Sequence, residues 1–134
     1  MRVALIHDWL TGMRGGERCL EQLCLMFPEA DIYTLFHFPG TVSAAIASHN
    51  IHHSSLQGFP FSKRHYRSYL PLFPRAIEQF KLENYELIIS TSHCVAKGTI
   101  PNPEAVHISY CFTPMRYIWD RRFDYFENAG RIKK

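Results

Sequence analysis

The residues whose types and spacing could do chemistry begin at the amino terminus. His7-Asp8-Trp9 ends a short apolar run, Arg2-Val3-Ala4-Leu5-Ile6, and Gly15-Gly16 stand just before Glu17 and a helical pattern. Two glycines ahead of a helix let the backbone come close to a ligand, and the helix turns its free N–H groups toward any anion there. A lone Gly-Gly is far weaker than a full dinucleotide fingerprint, so a tight turn with no ligand is the competing reading. Further polar groups recur at the ends of later apolar runs: His37, Ser92-His93 and Phe112-Thr113. For each of these a satisfied polar group at a strand end is the bland alternative.

Other chemistry-bearing residues point away from a site. His49, His52 and His53 form an H-x-x-H-H run, but no carboxylate or cysteine joins it at ligand spacing, so a solvated loop is expected and no metal. Cys19, Cys24, Cys94 and Cys111 show no C-x-x-C spacing and read as reduced, mostly buried thiols. His93 and Cys94 are adjacent, which does not normally bring thiol and imidazole into hydrogen-bond geometry. His107 lies inside an apolar strand pattern and reads as a half-buried packing residue.

The elements that must position these residues follow from periodicity. Leu20, Leu23, Cys24 and Phe27 fall at i, i+3, i+4 and i+7, the stripe of a helix lying on a sheet, and Pro28 ends it. Residues 31–36 alternate as a second strand, parallel to the first through that helix. His37 to Gly40 is a turn, 42–48 a short helix, and 51–54 a short strand. The helical stretch 63–80 carries Pro71 and Pro74, which should break it near Leu70. Residues 86–91 and 106–111 are two further buried strands, with a helical turn at 92–97 between them and a loop marked by Pro101 and Pro103. A last helix is expected from Pro114 to Asp120. Strands alternating with helices make an α/β domain with an open, mostly parallel, Rossmann-like sheet and helices on both faces. Ligands in such domains sit beyond the carboxyl ends of the strands.

Composition bounds the rest. A chain of 134 residues, 46% apolar, is one domain with a sizeable core. A net charge of +3 is too small to argue for nucleic acid. No apolar run approaches the roughly 20 residues a membrane span needs, and Asp8 and Trp9 interrupt anything like a signal peptide. A cytoplasmic protein is expected.

Several blocks, in order, carry a resemblance. Residues Arg2 to Glu17 are followed by Ala30-Asp31-Ile32-Tyr33-Thr34-Leu35-Phe36, then by Tyr69-Leu70-Pro71-Leu72-Phe73-Pro74 with Ala76-Ile77-Glu78-Gln79-Phe80. Ser92-His93-Cys94-Val95-Ala96-Lys97-Gly98 and Thr113-Pro114-Met115-Arg116-Tyr117 complete them. Together they resemble the amino-terminal half of glycosyltransferase family 4 enzymes, most closely the mannosyltransferase-like members that build bacterial surface polysaccharides.

That resemblance implies a GT-B architecture, in which two Rossmann-like domains face each other across a cleft. The first takes the acceptor, and the second takes the nucleotide sugar and carries an E-x7-E glutamate pair. Residues 1–134 would be the acceptor-side domain alone, a truncated form lacking the donor domain. The transfer implied is a retaining one, moving a hexose such as mannose to a glycan or lipid-linked acceptor. The chain would be inactive by itself and would meet nucleotide sugar only together with a donor domain. No cofactor is implied. Gly15 and Gly16 match the glycine loop near the donor's phosphates. Asp8, His93, Thr113 and Arg116 would hydrogen-bond substrate, and Trp9 would offer a flat apolar face. Position 112 matches an active-site histidine of the relatives, but here it is Phe112, which can neither hydrogen-bond a hydroxyl nor take a proton. That departure keeps open a second reading, a non-catalytic binding module that retains the fold. The basic and aromatic stretch Lys63-Arg64-His65-Tyr66-Arg67, running into Tyr69 to Phe73, suits contact with an anionic membrane surface. This would place the protein at the inner face of the plasma membrane. A helix with a solvated basic face is the plainer alternative.

Overall fold

Five parallel strands in the order β3-β2-β1-β4-β5 form the sheet of the computed structural model, which describes residues 1–59, 66–92 and 94–112. The strands are β1 (Val3–His7), β2 (Asp31–Thr34), β3 (Ile51–His53), β4 (Leu87–Ser92) and β5 (Val106–Cys111). The chain builds β1, β2 and β3 outward in one direction, then returns to add β4 on the other flank of β1. The carboxyl ends of β1 and β4 therefore lie at the topological switch point, where open α/β sheets keep their ligands. The register pairs His7 with both Thr34 and Thr91.

Two cores result from the period-two alternation of β1. Val3 and Leu5 face helix α1 (Gly15–Met26), packing with Leu20, Cys24, Ile32 and Ile89. Ala4 and Ile6 face the other way, toward helix α3 (Phe73–Glu78), with Phe36, Phe73, Ile77 and Ile88. Leu20 and Cys24 are buried, and Leu23 and Phe27 are partly so, which is the stripe read from the sequence. A short helix α2 (Ala44–Ala47) joins β2 to β3 on the α1 side. Gly40 has φ +82°, a left-handed value that explains glycine in the turn after Pro39.

Prolines shape the passage between β3 and β4. Pro71 sits inside a 3-10 segment, Tyr66–Leu72, and Pro74 occupies the first turn of α3, where its missing N–H costs nothing. The break falls at Leu72, two residues beyond the expected one. The helical turn after β4 is a 3-10 turn, Ala96–Gly98, and β5 has the bounds read from the sequence. The helix expected at 114–120 lies outside the described residues. Among the described residues, no helix is long and apolar enough to cross a membrane.

At the amino-end edge, Tyr85 Oη donates to Asp31 at 2.5 Å and meets Tyr33 Oη at 3.0 Å, with the Arg2 guanidinium 4.8 Å above the Tyr85 ring. Burial, with the Asp31 and Tyr33 hydrogen bonds adding to it, pushes the Tyr85 phenol far up. This cluster staples the start of β2 to the turn before β4.

Candidate functional site

The chain after β1 does not leave the sheet at His7. Leu35 N–H donates to the Asp8 carbonyl at 3.0 Å, Leu10 N–H to the Phe36 carbonyl at 2.7 Å, and Phe38 N–H to the Leu10 carbonyl at 3.1 Å. Parallel pairing thus runs on as far as Leu10 and His37, and the true edge lies beyond Leu10. Two sequence-based assignments need correction on this account.

Asp8 is fully buried. Its Oδ1 accepts the backbone N–H groups of Val95 and Ala96 at 2.8 and 2.7 Å, and its Oδ2 accepts that of Cys94 at 3.0 Å. Successive N–H groups entering a turn make a nest that favours an anion, and here the chain's own carboxylate fills it. Asp8 anchors the loop after β4 and is not presented to a sugar hydroxyl. Trp9 is 2% exposed and its ring lies 5.9 Å from that of Phe73, inside the α3-side core. It packs the interior and offers no face to a ligand.

What does converge at the switch point is a different set. His7 faces α1, and its Nδ1 lies 2.7 Å from Thr91 Oγ1. The Thr91 hydroxyl has two acceptors in reach, His7 Nδ1 at 2.7 Å and the Ile6 carbonyl at 3.4 Å; it donates to the nearer, Nδ1, which leaves the ring proton on Nε2. His7 Nε2 stands 4.0 Å from Glu17 Oε1, too far for a hydrogen bond, and it has no hydrogen-bond partner. Burial works to raise the Glu17 carboxyl, but the His7 ring and the backbone N–H groups at the helix start outweigh it, leaving it below the usual carboxylate range. Glu17 sits in the first turn of α1, where the helix dipole also favours a negative charge.

Gly16 brings the fifth strand into this group. A Cβ at Gly16 would lie 3.3 Å from the Phe112 ring and 3.4 Å from His7 Cε1, so both rings meet at the glycine. The Phe112 N–H donates to the Ser92 carbonyl at 2.9 Å, carrying the β4–β5 ladder one residue past β5. Phe112 is half-buried and tilts against Tyr110, centroids 5.1 Å apart. Gly15 is different: its Cβ would meet open space, and its φ is not positive. His93, Thr113 and Arg116 lie outside the described residues. His7 and Glu17 are the pair that sequence reasoning passed over. The available signal was the parity of β1, which puts His7 on the same face as Val3 and Leu5, under the start of α1.

The remaining candidates have local duties. Both backbone groups of His37 are held by Gln57, each at 2.7 Å. Burial, and then the neighbouring His53, keep the His37 ring below the usual histidine range. His49 points one ring nitrogen at the Ala45 carbonyl and the other at that of Phe27, while His52 stacks on Tyr33. His107 is half-buried and meets Ser90 Oγ at 3.0 Å. None of the four cysteines is in a disulfide. Burial, with the Asp8 charge adding to it, pushes the Cys94 thiol up to about 12. Cys111, by contrast, is exposed on β5.

No protein-family model matches the chain, and no curated protein does. Among solved structures, the chain is similar to the apo form of the lipopolysaccharide outer core galactosyltransferase WaaB, at 15% identity and a TM-score of 0.39. The alignment covers 69% of this chain and 26% of that structure.

Proposed function

We propose that this chain is the acceptor-side domain of a retaining glycosyltransferase, similar to family 4, acting across a cleft with a donor domain. The observation that carries this reading is the meeting of Gly16, the start of α1 and position 112 at the switch point of a parallel sheet. The resemblance of the sequence blocks supplies the chemistry. A hexose, mannose by the nearest likeness, would pass from a nucleotide sugar to a glycan or lipid-linked acceptor. Gly15 supports the reading from another side: neither its backbone angle nor any neighbour demands glycine, so the bare backbone is free to serve a ligand's approach. His93, Thr113 and Arg116 are proposed as substrate contacts on the resemblance alone. Activity at the inner face of the plasma membrane belongs to the same proposal, as does inactivity of the chain by itself.

Phe112 favours a second reading, a binding module without turnover, because its ring occupies the space beside Gly16 where a histidine is expected. One experiment decides between them. The chain is mixed with a matching donor domain and transfer from nucleotide sugars is assayed, with Phe112→His alongside. A well-placed donor in a closed cleft is commonly worth about 10²-fold or more, so the histidine variant should transfer faster. No transfer by either form, with both folded, would leave only the binding module.

A further inference from the structure

His7 Nε2 is a buried nitrogen with nothing to bond, placed at the start of a 12-residue helix and beside a buried carboxylate. Such an atom costs stability unless something else repays it. Glu17 Oε1 is 4.0 Å away, a gap that an oxygen about 2.8 Å from both atoms would span. The Cε1 atom bonded to Nε2 touches the same point beside Gly16 that the Phe112 ring touches. Phe112 is the half-exposed member of this group, whereas His7 and Glu17 are almost completely covered.

From this arrangement we infer that the Phe112 ring plugs a polar niche that is built to take one hydroxyl group of a pyranose. With the ring withdrawn, a ligand hydroxyl donates to the Glu17 carboxylate and accepts from His7 Nε2–H. The pyranose ring itself occupies the space of the phenyl ring it displaces. Gly16 leaves room for that ring because no side chain stands between them. Thr91 fixes the imidazole so that Nε2 cannot turn away. The inference rests on the sugar-transfer reading for its ligand class, but not for its geometry.

The test uses the whole chain with methyl α-D-mannopyranoside as probe. NMR follows the Gly16 amide and the His7 ring nitrogens. Phe112→Ala is expected to give saturable shifts at both positions in the millimolar range, and wild type none. The double variant Phe112→Ala, Glu17→Ala should bind at least about tenfold more weakly. Phe112→Val, which keeps a strand-forming residue, takes the place of alanine if that variant does not fold. A folded Phe112→Ala or Phe112→Val chain without saturable shifts would overturn the inference, as would equal binding by wild type. Glycoside binding without transfer in the reconstituted enzyme supports the niche and removes the enzyme reading. Transfer without glycoside binding does the reverse.

Discussion

Asp8 shows how a residue can stand at the right place for the wrong reason. Its carboxylate is committed to three backbone N–H groups of the loop after β4. Removing it strands buried donors, each costing about 1–3 kcal/mol. Asp8→Ala should therefore lose at least about 3 kcal/mol in denaturant melts, whereas Asp8→Asn, which keeps one acceptor oxygen, should lose less. Glu17 gives the second residue-scale test. Its folded pKa lies below the ordinary 4.5, so in the acid range the unfolded chain binds more protons than the folded one. The stability it contributes is thus present above the unfolded value and lost as pH falls through the lower, folded value. Melts between about pH 5 and pH 3 should show wild type losing more stability than Glu17→Gln; parallel curves would refute the coupling. Asp8 and Trp9 were misjudged because residue type shows that a group can bind a hydroxyl, not whether pairing continues past it. Phe112 lies beside Gly16, a neighbourhood that its place in the motif does not by itself turn into a role.

Elements were easier to read than residues, and the reason is periodicity. The α1 stripe, the alternation of β1 and β2 and the apolar run of β4 all reflect burial, which leaves a trace at every second or every third and fourth position. The end of β1 left no such trace, because pairing from Asp8 to Leu10 depends on what the chain after β2 does. The 3-10 form of Tyr66–Leu72 was equally hidden, since Pro71 forbids one geometry without naming its replacement. Helix α1 offers a sharp test. Gly15 opens it with free space at the missing Cβ and no left-handed angle. Gly15→Ala should therefore stabilise the fold by about 0.4–1 kcal/mol in thermal melts. If the glycine serves a ligand, the same variant should weaken whatever binds there.

For the whole molecule, β5 is the telling strand. Val106, Ile108 and Tyr110 are 59%, 51% and 56% exposed, one apolar row on the α1 side of a strand whose only neighbour among the described residues is β4. Exposed rows on an edge strand invite pairing between copies. Light scattering should show self-association that grows with concentration, and Ile108→Lys should reduce it without a large change in melting temperature. A monomeric wild-type chain at high concentration would contradict this. Nothing in composition announced the row, because an apolar strand pattern has the same appearance whether or not its second face is covered.

The central position of β1 also dictates an order of events at the ribosome. Its partner β4 begins at Leu87, and the Asp8 anchor reaches Cys94, 86 residues downstream. At about 5–20 residues per second, the first strand waits on the order of ten seconds for the neighbour that completes it. Through that interval β1 can pair with β2 alone, leaving its other edge and the buried polar groups of His7 and Asp8 open to water. The amino-terminal motif that reads most clearly is therefore among the last parts of the chain to find its native surroundings.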